Sequence, residues 1–139
     1  MTTTVPPIPE LTGARIRLRA LDERDVDALF DLHSDERAMR YWSHLPWTDR
    51  QQAADRIELF RRERKSTEFY PWAATLDGDD TLIGTCSLFS ILRAHARCEI
   101  GYALRPAYWG RGYAGEMLHL AIDHAFGQLG LLRIEADID

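Results

Sequence analysis

Apolar and polar residues alternate strictly over residues 14–21 (ARIRLRAL), the two-residue period of a strand with one face buried. Asp22 follows as a helix N-cap with Asp25 three residues on, the spacing of a capping box. Val26, Leu29, Phe30, Leu32 and His33 then form one apolar stripe. Residues 34–46 (SDERAMRYWSHLP) carry no period and predict irregular chain with room for one short helix. Thr48 reads as a second N-cap, opening TDRQQAADRIELFRRERK with Ala53, Ile57 and Phe60 on one face. The strand period returns in residues 69–76 and 81–92, joined by a turn at 77–80 (DGDD). It returns again in residues 97–104, after a turn at 93–96. Pro106 ends that strand. Residues 115–128 predict a helix with Met117, Leu118, Ala121, Ile122, Ala125 and Phe126 as its apolar side. Gly130 closes it, and residues 131–138 (LLRIEADI) predict a last strand. The order β-α-α-β-β-β-α-β implies an α+β fold: an antiparallel meander followed by one right-handed β-α-β crossover. Residues 1–13, with their prolines, read as a flexible lead-in, and residues 14–139 as a single domain.

Composition narrows the picture only a little. With 139 residues, 45% hydrophobic and 28% charged, this is the composition of an ordinary globular domain. The net charge of −5 and the lack of a basic stripe speak against direct nucleic-acid binding. No run approaches the roughly 18 apolar residues of a membrane span, and the N-terminus lacks the blocks of a signal peptide, so a cytoplasmic protein is expected. Cys86 and Cys98 have no metal-type spacing and are read as buried free thiols. His119 and His124, five apart on a helix, do not share a face and make no metal pair.

The chemistry-bearing stretch is YWGRGYAGEML, in which Gly110, Gly112 and Gly115 spell G-x-G-x-x-G. Glycines at a helix N-terminus let backbone N–H groups converge on an anion, which the helix dipole also favours. Arg111 adds a positive side chain. Three readings are open: a dinucleotide turn, another phosphate-bearing ligand, or a tight turn that only packs helix on sheet. For the dinucleotide, Glu135 stands twenty residues after Gly115, the spacing of a ribose-binding acid. Against it, Pro106, Tyr108 and Trp109 separate strand from glycines, the preceding strands form a meander, and Glu135 lies inside its strand.

Glu99-Ile100-Gly101-Tyr102-Ala103-Leu104, then Pro106, then Tyr108-Trp109-Gly110-Arg111-Gly112-Tyr113-Ala114, resembles the acetyl-CoA site of the GNAT superfamily of N-acetyltransferases. Within it, the stretch is most similar to the branch that acetylates ribosomal-protein N-termini. The resemblance runs from about Arg15 to the last residue and takes in Phe126, residues 129–131, Arg133 and Ile134. The superfamily loop reads Gln/Arg-x-x-Gly-x-Gly/Ala. Gly112 and Ala114 match it, while Trp109 stands where Gln or Arg is usual, as is common in this branch. By this resemblance Gly110, Arg111, Gly112, Tyr113, Ala114 and Gly115 hold the coenzyme A pyrophosphate. Ile100, Gly101, Tyr102, Ala103 and Leu104 lie along the pantetheine arm, and no metal takes part.

The implied reaction moves acetyl from acetyl-CoA directly to a primary amine, either a protein N-terminus or, second, a small amine. It needs a base for the amine proton and donors for the developing oxyanion. Glu99 is the first candidate base, against a plain edge-strand glutamate, and Glu135 the second. Tyr41, Trp42, Trp47 and Trp72 are candidates for an acceptor pocket or for the core. Rival readings are a catalytically silent acetyl-CoA-binding module and, third, a nicotinamide enzyme. Superfamily members continue after the last strand with a helix and two strands, which this sequence lacks. The resemblance therefore implies a C-terminally incomplete domain, and an open last strand through which it could form a homodimer.

Overall fold

The computed structural model describes residues 8–40, 44–63 and 69–136. A short strand β1 (Leu11–Thr12) turns at Gly13 into β2 (Ile16–Ala20). Three helices follow: α1 (Val26–Ser34), α2 (Glu36–Met39) and α3 (Gln51–Glu63). Strands β3 (Tyr70–Leu76), β4 (Asp79–Leu92) and β5 (Arg97–Leu104) form the meander. Helix α4 (Tyr113–Gly127) then leads to β6 (Arg133–Ala136). Among the described residues, six strands lie side by side in chain order. All neighbours are antiparallel except β5 and β6, which run parallel across the α4 crossover. This is a mixed, mostly antiparallel α+β sheet with helices on both faces.

Each face has its own core. Ile16, Leu18, Trp72, Cys86, Leu88 and Ile100 pack with Met117, Ala121 and Ala125 of α4. On the other face Ala73, Leu82 and Ala103 meet Leu29 and Leu32 of α1 and Ala53 and Ile57 of α3. The period-two pattern of β2 therefore holds, but its polar side is not wet throughout. Arg19 is 2% exposed, because its guanidinium donates two bonds of 2.7 and 2.8 Å to the Asp25 carboxylate. Asp25 in turn completes the expected capping box with Asp22, at the head of a 3-10 turn that leads into α1.

Several boundaries differ from the sequence expectation, each for a local reason. Leu11 and Thr12 of the expected lead-in pair with Leu18 and Arg17, and the Pro9 carbonyl accepts the Trp72 indole N–H at 2.8 Å. Helix α3 begins at Gln51, not after Thr48. The Asp49 carboxylate takes the Gln51 N–H, and the Gln52 side chain takes the N–H groups of Thr48 and Asp49. Helix α4 starts two residues before Gly115, with Gly112 as its N-cap. Phe126, expected on the apolar side, is 46% exposed, while His124 is buried there edge-on to Tyr70 and Trp72. Cys86 and Cys98 are buried free thiols. Cys86 pairs with Tyr102, four positions along β5 from Cys98.

Candidate active site

The pairing of β5 with β6 runs from Arg97↔Arg133 to Ile100↔Ala136 and, among the described residues, goes no further. Among the described residues, 101–104 of β5 have β4 on one side and no strand on the other. Arg105 N–H bonds the Ile83 carbonyl, so by the alternation of an antiparallel ladder Ile100, Tyr102 and Leu104 turn their backbone groups to the open side. The Leu104 carbonyl there receives the Trp109 indole N–H at 2.7 Å. The side chains of Ile100 and Leu104 point into the α4 core, so this edge offers a ligand backbone donors and acceptors.

Beyond Leu104 a 3-10 turn (Pro106–Tyr108) leads to the glycines. Gly110 (φ +75°) and Gly112 (φ +81°) occupy the left-handed region that disfavours a side chain. The first intrahelical bond of α4 is Glu116 N–H to Gly112 O, so the N–H groups of Tyr113, Ala114 and Gly115 precede it, and Gly112 supplies no side-chain cap. Space is open where a Cβ on Gly115 would stand. The result is a helix N-terminus with donors to spare, in line with the open edge of β5 and fit for a phosphate-bearing ligand. Gly115 belongs to the first helical turn while Gly110 and Gly112 shape the loop. Glu135 lies within β6, salt-bridged to Arg133 (3.0 Å) and Arg97 (3.6 Å). That arrangement lacks the strand-turn-helix geometry of a dinucleotide site.

A latch that the sequence did not reveal fixes the loop to the sheet. Glu116 accepts the backbone N–H groups of Arg15 (2.6 Å) and Ile16 (3.1 Å) and pairs with the Arg15 guanidinium at 3.0 Å. Arg15 also donates to the Arg111 carbonyl at 2.9 Å and lies over the Tyr113 ring. Partial burial works against charge on Glu116. The two backbone donors and Arg15 outweigh it, so the carboxyl titrates below the ordinary glutamate range.

Glu99 sits one residue before the point where β5 and β6 part, on the face away from α4. Its register partners are Phe89 on β4 and Glu135 on β6, so the two candidate carboxylates are cross-strand neighbours. Glu135 is engaged by two guanidiniums; Glu99 is half-buried and shares its face with Gly101 and Ala103. Gly101 has a packing reason: a Cβ there would stand 3.3 Å from the Phe89 ring. Opposite lies a bulge in β4, where the register shifts between Phe89 and Leu92 and Ser90 has φ +49°. A bulge of this kind re-aims side chains beside a site.

Of the aromatic candidates, Trp72 is fully buried in the α4 core. Trp47 is 7% exposed and stacks on His33, with ring centroids 4.2 Å apart. Both serve packing rather than a pocket; Tyr41 and Trp42 lie outside the described residues. The same stack keeps His33 neutral: burial, then His44 and Arg56, lower its pKa to about 3. Beside the glycine loop lies an open cleft of about 590 Å³, whose lining among the described residues is Glu36, Arg37 and Arg40 of the α2 region and Trp109. Among the described residues no cluster of three or more His, Cys, Asp or Glu could hold a metal.

The pattern of the Acetyltransferase (GNAT) domain matches residues 15–139. The uncharacterized N-acetyltransferase p20 of Bacillus licheniformis is 34% identical over 125 residues, spanning 90% of this chain and 70% of its own length. A Vibrio cholerae structure with the provisional name ribosomal-protein-serine acetyltransferase superposes with a TM-score of 0.85 at 22% identity. That match covers 96% of this chain and 75% of the other. Spermidine N-acetyltransferase of Vibrio cholerae, solved with CoA and spermine, gives 0.77 at 21% identity, over 91% of this chain and 72% of its own.

Proposed function

Because the chain belongs to the GNAT acetyltransferase family, we propose that it moves acetyl from acetyl-CoA to a primary amine, first of all the N-terminal amine of a protein. One observation carries the cofactor half of this reading: residues 101–104 of β5, which among the described residues have no strand on their outer side, lead through a short turn to an uncapped helix N-terminus. Gly110, Arg111, Gly112, Tyr113, Ala114 and Gly115 hold the pyrophosphate through backbone N–H groups, with Arg111 adding charge. Ile100, Gly101, Tyr102, Ala103 and Leu104 take the pantetheine arm as a strand takes a neighbour. The thioester then lies at the point where β5 and β6 part, beside Glu99.

There the acceptor nitrogen forms its bond to the acetyl carbon as the carbon–sulfur bond breaks. Glu99 takes the amine proton, directly or through a water. The outward N–H of Tyr102 is placed to stabilise charge on the carbonyl oxygen. Glu135 is held by Arg97 and Arg133, and this supports Glu99 over Glu135 as the base. The name carried by the structure of Vibrio cholerae supports a peptide acceptor. Small amines come second.

Labelled acetyl-CoA offered with a panel of peptide and small amines tests the reading: acetylated product is expected, with peptides leading. CoA binding without turnover of any amine would instead mark a silent binding module. Glu99→Gln should lower turnover by roughly 10²–10⁴ and remove the acidic limb of the pH–rate profile, with CoA affinity unchanged. A limb that persists at a normal rate moves the role to Glu135 or to solvent.

A further inference from the structure

A carboxylate stands where an anion is to bind. Glu116 is the acid in the first turn of α4, the helix whose N-terminus takes the diphosphate in the reading above. A helical side chain leans back over the turn before its own Cα. The carboxylate therefore lies within about 5.4 Å, one turn along the axis, of the N–H groups of Tyr113, Ala114 and Gly115. A negative charge at that place favours an empty helix N-terminus and opposes a diphosphate that seeks the same donors.

Arg15 disposes of that charge. The Glu116 Oε1 accepts the backbone N–H groups of Arg15 and Ile16, and Oε2 accepts the Arg15 Nε–H at 3.0 Å, so both oxygens are held toward the start of β2. The β1–β2 turn is bare where the carboxylate sits: a Cβ on Gly13 would stand 2.8 Å from Oε1. The same guanidinium reaches the loop itself. Its Nη1 donates to the Arg111 carbonyl at 2.9 Å, its Nη2 lies 3.2 Å from where a Cβ on Gly112 would stand, and its plane covers the Tyr113 ring. The peptide between Arg111 and Gly112 is planar and trans, so a carbonyl held toward Arg15 aims the Gly112 N–H the opposite way. One side chain thus sets the direction of a loop donor and cancels the nearest opposing charge.

We propose that Arg15 is a positioning residue for the diphosphate of coenzyme A. It fixes the Arg111–Gly112 peptide so that the Gly112 N–H is presented to the ligand, and it compensates the Glu116 carboxylate beside the same donors. The inference rests on the cofactor half of the reading above, and it adds a residue that lies 96 positions before Arg111. Removing the guanidinium frees the Arg111 carbonyl and leaves a negative charge unopposed at the site. Because Arg15 is half exposed, water and salt screen part of the effect, and the expected loss of coenzyme A affinity is about tenfold.

The test titrates coenzyme A calorimetrically into the native chain, Arg15→Ala, and the double variant Arg15→Ala/Glu116→Gln. Glutamine keeps an oxygen for the two backbone N–H groups and drops the charge. Arg15→Ala should bind about tenfold more weakly, and the double variant should regain about threefold of that loss. In turnover, KM for acetyl-CoA should rise in Arg15→Ala while kcat changes little. S-acetylpantetheine, which lacks the diphosphate, should be used equally well by the native and variant chains. A lesion that only loosens the fold lowers the use of both thioesters together, and that result would overturn the proposal. So would native affinity in Arg15→Ala, or a double variant that binds no tighter than the single one. Coenzyme A that fails to bind the native chain removes the cofactor reading itself, and Arg15 with it. Native binding left untouched by Arg15→Ala removes Arg15 alone.

Discussion

Two charged regions of this domain are built on opposite plans. Around Arg19 all five guanidinium N–H groups are spent: two on Asp25, one each on the Asp80 carboxylate, the Asp80 carbonyl and the Ala20 carbonyl. Asp25 also takes the Asp22 N–H. At the head of α4 the reverse holds: consecutive N–H groups stand at a helix N-terminus with no side-chain cap. Both regions are tied to β2, which contributes Arg19 to the first and, with Arg15 just before it, Ile16 to the latch beside the second. A polar cluster that is fully satisfied and buried joins elements; a set of donors kept free at an open surface is left for something else to fill.

The contrast can be broken from either side. The largest effect is expected from Asp25→Ala, which strands a buried guanidinium. Stability should fall by about 3–5 kcal/mol in urea titrations, whereas a loss under about 1 kcal/mol would show the cluster to be dispensable. Next comes Gly112→Val. The left-handed backbone costs the fold only about 1–2 kcal/mol, but displaced N–H groups should weaken CoA binding of order a hundredfold. Calorimetry at near wild-type affinity would refute the loop. The smallest effect is that of Glu116→Gln, about 1 kcal/mol near neutrality. Here the sign of the pH dependence is diagnostic. Because folding depresses the Glu116 pKa, its contribution is present above the ordinary glutamate value of about 4.3 and is lost as pH falls through the folded value. Thermal melts across the acid range should therefore show a shallower decline for the variant than for the native chain.

The features read from sequence were those written in local period or spacing. The alternation in ARIRLRAL, the Asp22–Asp25 capping box and the glycines before α4 each declare themselves within a few residues. β1 escaped because two residues have no period, and because its pairing with Arg17 and Leu18 is set by the Gly13 turn. Arg19 looked solvated because the alternation places it opposite Leu18; only the fold brings Asp80 to it. At the candidate site, the glycines and Glu99 were legible as residue types. The place where β5 and β6 part was not, since it is a relation between two strands rather than a property of either. The Glu116 latch was invisible for the same reason, joining residues 101 apart.

The sheet runs in chain order from β1 to β6, and this bears on folding kinetics. The β3–β4 and β4–β5 hairpins close over short turns and lower the contact order, so they can form early. The latch between Arg15 and Glu116 spans nearly the whole described chain, and its loop-closure entropy is recovered only once both ends of the domain are in place. Alignment of residues 110–115 with the start of β2 is therefore expected late, on the native side of the transition state. Coenzyme A added during refolding should leave the folding rate nearly unchanged and slow unfolding instead.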